Sequence, residues 1–267
     1  MEAAAKAADN PPEMAVDRHP ESGQAAVETA LTMPLVLFMV LGTLQLFMLL
    51  QGRLFAEHAA YAAVRTGVVK HGDCEAMTHA AIAALLPSFI SYLGEGTPGG
   101  TPEDKLINAF LARTRNKPFQ NQFDPGLDDG HDGAVVWLFR ETPDRRDVTR
   151  DSEDDFDDPD WPGYTLSVRL VYWYPLRIPF ANWVMSTMYR TYFGLGDYTK
   201  VNPIMPTMPN AAWTQRSTRL RGAAATEFQR RYNAEQYVFP VTASYAMRMM
   251  TPPRTSLFGR QDCEPAP

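Results

Sequence analysis

A chain of 267 residues with 45% hydrophobic and 21% charged residues has the average make-up of a globular protein and is long enough to bury a core. Its formal net charge of -6 excludes the general attraction to polyanions that clustered Lys and Arg provide, so nucleic acid is not an expected partner. Two distant cysteines, Cys74 and Cys263, exclude a disulfide framework and leave either one bond in an oxidising compartment or two unpaired thiols.

The first segment, residues 1–23, is Ala-rich and Pro-punctuated, with Lys6 and Arg18 set against Glu2, Asp9, Glu13, Asp17 and Glu21. It reads as a disordered leader or cytoplasmic tail. From Thr29 to Leu50 there are then 22 residues without Asp, Glu, Lys or Arg, and about 20 suffice to cross a hydrocarbon layer roughly 30 Å thick. A soluble core helix would show a polar face, but only Gln45 and a few Thr interrupt this run. A cleavable secretory signal would have a shorter apolar run and a basic front. The segment is expected to span a bilayer as a helix, with Pro34 in its first turns and Gly42 placed for close helix packing.

Beyond Leu50 the sequence QGRLFAEHAAYAAVRTGVV continues in helical style. Phe47, Leu54, Tyr61 and Val68 recur every seven residues, which predicts one slowly drifting stripe. Arg53 and Glu57 form an i,i+4 pair. A helix running unbroken from Glu28 to Val69 would be about 60 Å long, half of it projecting from the membrane as a stalk.

One charge stands at the mouth of the span. Glu28 is cheap near a helix end and complements the positive pole of the helix dipole, which alone explains an acid there. Its surroundings say more: GQAAVETALTMPLVLFMVLG, Gly23 to Gly42, resembles the N-terminus of type IV pilin-like subunits, most closely the TadE family of minor pilins or pseudopilins from tight-adherence (Tad) pilus systems. Met33-Pro34 echoes an early Leu-Pro-like step of that family, and Arg53, Ala59, Ala60, Ala63, Arg65 and Gly67 look like its later small-residue and arginine pattern.

The resemblance implies cleavage after Gly23 by a prepilin peptidase, a new N-terminus at Gln24, and Glu28 as an assembly residue. The Glu28 carboxylate would pair with the α-amino group of a neighbouring subunit, offsetting the desolvation of both charges. Implied partners are other pilin-like subunits, the prepilin peptidase, the inner-membrane assembly platform and membrane lipid. The implied location is the bacterial inner membrane, single-pass, with the C-terminal domain in the periplasm or outside the cell. Arg53, Arg65 and Lys70 lie close behind the span and oppose that orientation by charge count, although large domains translocate regardless. A second copy of the spacing, Gly222 to Glu227, precedes no apolar run and reads as coincidence.

The remainder, residues 73–267, predicts an α+β domain carrying an antiparallel sheet; residues 24–72 form the membrane helix and its extension. Ile82, Leu85, Leu86, Phe89, Ile90 and Leu93 have helical spacing, with Pro87 a kink or break. GEGTPGG, Gly94 to Gly100, is a loop. Thr101, Pro102 and Asp104 mark the start of a further helix. Strands are expected over Ala134 to Arg140, Tyr164 to Leu176 and Gln236 to Met247. In the second, Leu166, Val168, Leu170, Tyr172 and Tyr174 alternate with Thr165, Ser167, Arg169, Val171 and Trp173.

Little points to catalysis or metals. The acidic run Asp151–Asp160 lacks an ordered calcium loop and reads as a solvated loop, as does Asn202 to Asn210; RSTRLRGAAATEFQRR reads as a solvated basic helix. His71, Cys74 and His79 lack a fourth ligand and any paired metal motif. No nucleophile elbow, phosphate loop or dinucleotide fingerprint occurs. The expectation is therefore a non-enzymatic TadE-like structural subunit without a cofactor, acting in pilus or secretion-apparatus assembly. The alternative is an uncleaved single-pass anchor for an extracytoplasmic binding or sensor domain.

Overall fold

The computed structural model describes residues 21–89, 98–115, 121–149, 163–198, 214–263 and Pro265. The leader to residue 20, Ile90 and Leu93, most of the glycine loop, the acidic run Asp151–Asp160 and the segment Asn202–Asn210 lie outside them. The chain divides into Met1–Val40 and Leu41–Pro267.

In the first unit the described residues are helical. They belong to α1, Glu21–Val69, which contains Pro34. The helix starts well before Thr29, so Pro34 lies in its interior rather than in its first turns. There a proline removes one backbone bond and crowds the preceding turn, a defect that membrane helices tolerate. Val27, Leu31, Met33, Leu35, Val36, Leu37, Met39 and Val40 are all exposed, the state of a helix that supplies its own backbone bonds and leaves its apolar side chains to another solvent.

The second unit is built on the remainder of α1. It continues with α2, Cys74–Phe89, and α3, Pro102–Thr114. Helix α2 carries Pro87 within its last turn, so the proline neither ends nor splits it. Helix α3 begins as its sequence predicts. The Thr101 hydroxyl accepts from the Asp104 amide at 3.1 Å, and the Asp104 carboxylate accepts from the Thr101 amide at 3.3 Å, a capping box with Pro at the first position.

The sheet has the order β3-β2-β1-β4, antiparallel throughout. Strand β1 is Val136–Thr142, β2 Thr165–Pro175, β3 Val238–Arg248 and β4 Asp262–Cys263. Two helices, α4 (Ala181–Tyr198) and α5 (Thr214–Asn233), separate β2 from β3. The alternation in β2 holds: Leu166, Val168, Leu170, Tyr172 and Tyr174 are buried and Tyr172 meets Ser88 of α2 at 2.7 Å. The opposite face is exposed only at its start. Val171 and Trp173 are also buried, so the end of β2 is covered on both faces.

Among the described residues of this unit, three arginines are buried. Arg113 pairs with Asp128, both almost fully buried. Arg231 donates to the Ala134 carbonyl at 2.7 Å and to Glu227 at 2.8 Å, with its guanidinium 4.8 Å from the Trp173 ring centre. Burial brings the Arg231 pKa down to about 10 against the opposing pull of Glu227.

Arg140 ties the C-terminal segment to the domain. It donates to the carbonyls of Gly72 (2.9 Å), Leu257 (3.1 Å) and Gln261 (3.0 Å) and to that of Arg260, and it lies 4.0 Å from the Phe258 ring centre. Burial lowers its pKa to about 10, opposed by Asp262 and Asp73. It therefore remains a cation at neutral pH and its donors stay occupied. Close by, the sulfurs of Cys74 and Cys263 are bonded, with a Cα separation of 5.3 Å.

Two outcomes follow for stability. Replacing both Cys74 and Cys263 by Ser should cost about 2–5 kcal/mol, read as a lower denaturation midpoint; an unchanged midpoint would mean that the bond contributes nothing. Arg140→Met strands several buried carbonyls and should cost about 3 kcal/mol or more, whereas wild-type unfolding of that variant would remove Arg140 as the tie.

Candidate functional site

The functional candidates on α1 fall into two zones. The N-terminal zone holds Gly23, Gln24 and Glu28. Gly23 lies within the helix and is exposed, as is Glu28. The hydroxyls around the acid are turned back onto the backbone: Thr29 donates to the Ala25 carbonyl and Thr32 to the Glu28 carbonyl, each at 2.8 Å. Those two polar groups are thereby satisfied within the helix, as an apolar solvent requires. Between Gly23 and Gly52 the sequence has no Lys, Arg or His.

The second zone is where α1 becomes part of the domain core. Its buried face is made of Gln45, Ala56, Ala59, Ala60, Ala63, Val64 and Val68. This face differs from the predicted heptad stripe. Phe47 and Leu54 are exposed, at 60% and 66%, and only the C-terminal end of the stripe is covered. Small residues win the inner face because they let the helix axis approach neighbouring side chains closely.

Two glycines show how close. A Cβ on Gly52 would stand 2.6 Å from a carbon of the Tyr174 ring. One on Gly67 would stand 2.6 Å from the Leu166 side chain and would also collide with the Met77 sulfur. At Gly42, by contrast, a Cβ would meet nothing within 4 Å, so the domain makes no use of that glycine. The exposed positions of the same pattern carry the charges: Arg53 pairs with Glu57 at 3.2 Å with both side chains more than half exposed, and Arg65 is exposed. Such a pair contributes tenths of a kcal/mol at most. What α1 offers the domain is shape.

Gln45 is the polar member of the face and is fully buried. Its side-chain oxygen accepts from the Ile178 amide at 2.9 Å, which fixes the segment after β2 against the helix. Reading the sequence as a span with one tolerated polar interruption misses this contact. The only cue to it is that a lone Gln in an uncharged run has to find a partner.

The other singled-out residues take structural roles. Cys74 is bonded to Cys263. The His71 ring donates from Nδ1 to the Pro252 carbonyl at 2.8 Å, and His79 packs edge-on against Phe110. Among the described residues no three His, Cys, Asp or Glu are placed to hold a metal. Glu227, the acid of the second spacing copy, grips Arg230 at 2.7 Å and Arg231 at 2.8 Å. Burial raises its pKa, yet the two guanidinium groups outweigh that and hold it below the usual carboxylate range.

Residues 23–65 match the family model described as TadE-like protein. The match covers the apolar run, the Gly23 and Glu28 pair and most of the small-residue face, and it supports a Tad pilus-associated family for this segment. No curated protein and no solved structure matches the chain.

The small-residue face is testable apart from any cellular role. Gly52→Val and Gly67→Val each force a side chain into occupied space and should destabilise the Leu41–Pro267 unit by about 1–3 kcal/mol. Gly42→Val, which meets nothing, should leave its unfolding midpoint alone. Equal midpoints for all three variants would show that α1 does not pack as described.

Proposed function

We propose that this chain, whose residues 23–65 are TadE-like, works as a membrane-anchored pilin-like structural subunit in the assembly of a Tad pilus or related secretion apparatus. Prepilin peptidase removes the leader after Gly23 and leaves Gln24 as the amino terminus. The Glu28 carboxylate then pairs with the α-amino group of a neighbouring subunit. Because Gln24 and Glu28 are four residues apart, such pairing suits an axial offset between neighbours of about 6 Å at 1.5 Å per residue. An unpaired charge of either sign is costly in a low-dielectric surrounding, so the pair favours one register over others.

The observation that carries this reading is the exposed Glu28 on a helix whose surrounding exposed side chains are apolar and whose sequence holds no cation from Gly23 to Gly52. A soluble role gives no reason for that surface. The bonded Cys74 and Cys263 suit a domain that matures outside the cytoplasm, where disulfides persist. Arg53 and Arg65 follow the apolar run but belong to a folded unit, and large domains cross the membrane largely regardless of such charges. The partners are other pilin-like subunits, the peptidase and the inner-membrane platform.

Two measurements test this. Intact mass and N-terminal peptide mapping of the membrane-extracted protein should give a start at Gln24 when the peptidase is present and at Met1 when it is absent. A Met1 start in both would favour an uncleaved anchor for a binding domain. Glu28→Gln should insert into the membrane normally yet enter assemblies at least a few hundred-fold less, since breaking a buried ion pair costs about 3–5 kcal/mol and each 1.4 kcal/mol is about tenfold. Normal incorporation would remove the carboxylate from the mechanism.

A further inference from the structure

Strand β2 runs antiparallel to α1 along its small-residue face. Leu166 lies against Gly67, Tyr174 against Gly52, and the Ile178 amide reaches Gln45. The chain after β2 therefore descends to the level of Gln45. That level lies within the uncharged run, which continues to Leu50. Five residues of helix amount to about 7–8 Å. The run exceeds the length needed to cross the hydrocarbon by only about two residues, or 3 Å. If α1 spans a bilayer, the turn around Ile178 cannot stand clear of it and must reach the boundary between headgroups and acyl chains.

The residues at that turn suit this boundary. Phe180 is 53% exposed with a backbone φ of 69°, Trp183 is 48% exposed and Met188 is 65% exposed. Beside them on α1, Leu44, Leu46, Phe47 and Leu50 are also at least half exposed. From Leu176 to Arg190 the charged residues are Arg177 and Arg190, with no Asp or Glu. Arg190 is exposed and sits over the Tyr232 ring at 4.9 Å. Aromatic side chains with cations and no acids are what a headgroup layer selects. A water-facing turn of a chain with net charge -6 has no reason to present this surface.

We infer that the turn Ile178–Phe180 and the first turns of α4 form a second membrane contact, a foot lying in the headgroup and acyl boundary of the leaflet on the domain's side. The occupant of this surface is lipid. With α1 as anchor, the foot gives the domain a second point of contact with the membrane. This inference rests on α1 spanning the bilayer.

The test uses the full chain in phosphatidylethanolamine and phosphatidylglycerol vesicles, with a fluorophore on Met188→Cys and, as control, on Thr165→Cys at the far end of β2. Cys74 and Cys263 stay bonded. Flotation comes first, and a protein that fails to float overturns the membrane anchor and the foot together. For floating protein, lipids carrying a nitroxide near the headgroup should quench the Met188→Cys label while leaving the Thr165→Cys label bright, and aqueous iodide should do the reverse. Iodide quenching of the Met188→Cys label would show a water-facing turn and overturn the foot while leaving the anchor intact. A label shielded from both quenchers would show that a second copy covers this face, which also overturns it.

Discussion

The close contact between the glycine and alanine face of α1 and the residues of β2 and α2 is the constraint on which the Leu41–Pro267 unit depends. Gly52 against Tyr174 and Gly67 against Leu166 and Met77 leave no room for larger side chains. Alanines at 56, 59, 60 and 63 are fully buried between these points. On the even-numbered side of β2 this face shares the cover with α2, whose Ser88 meets Tyr172. Without this half of α1, Leu166, Val168 and Tyr174 would lose part of their cover, at about 25 cal/mol for each Å² of apolar surface re-exposed. The half of the helix predicted to project as a stalk is thus a core element.

This gives α1 two solvents. Its N-terminal residues present Leu, Val and Met outward, while from Gln45 onward one face presents small residues to protein. The same helix continues to Val69, whose neighbour Val68 accepts at its carbonyl from the Met250 and Thr251 amides, both at 3.1 Å. Beyond it, Arg140 and the Cys74 to Cys263 bond close the far end.

Much of this was legible in the sequence, and for identifiable reasons. Twenty-two uncharged residues have few fates other than a membrane helix. The Thr101, Pro102 and Asp104 start of α3 is local chemistry that needs no tertiary context, and the alternation in β2 follows from the period of a strand. The heptad stripe did not mark the buried face because periodicity finds residues that share a line on a helix but does not say which line is inside. Here the inside line is chosen by shape, and Phe47 and Leu54 are too large for it. The buried arginines were illegible because Arg on a polar helix such as α5 ordinarily faces water. Arg231 is drawn inward by the Ala134 carbonyl, Glu227 and the Trp173 ring, partners remote in sequence or revealed only by the fold. Gln45 was legible as an oddity, and its meaning waited on Ile178.

Hydrogen exchange of the full chain in lipid nanodiscs, followed through increasing denaturant, tests the central claim that the anchor helix is part of the domain core. The amides of Gly52–Val69 should be protected as strongly as those of Thr165–Pro175 and should lose protection in the same cooperative step. Fast exchange over Gly52–Val69 while β2 stays protected would contradict the account, because the sheet would then be standing without the helix.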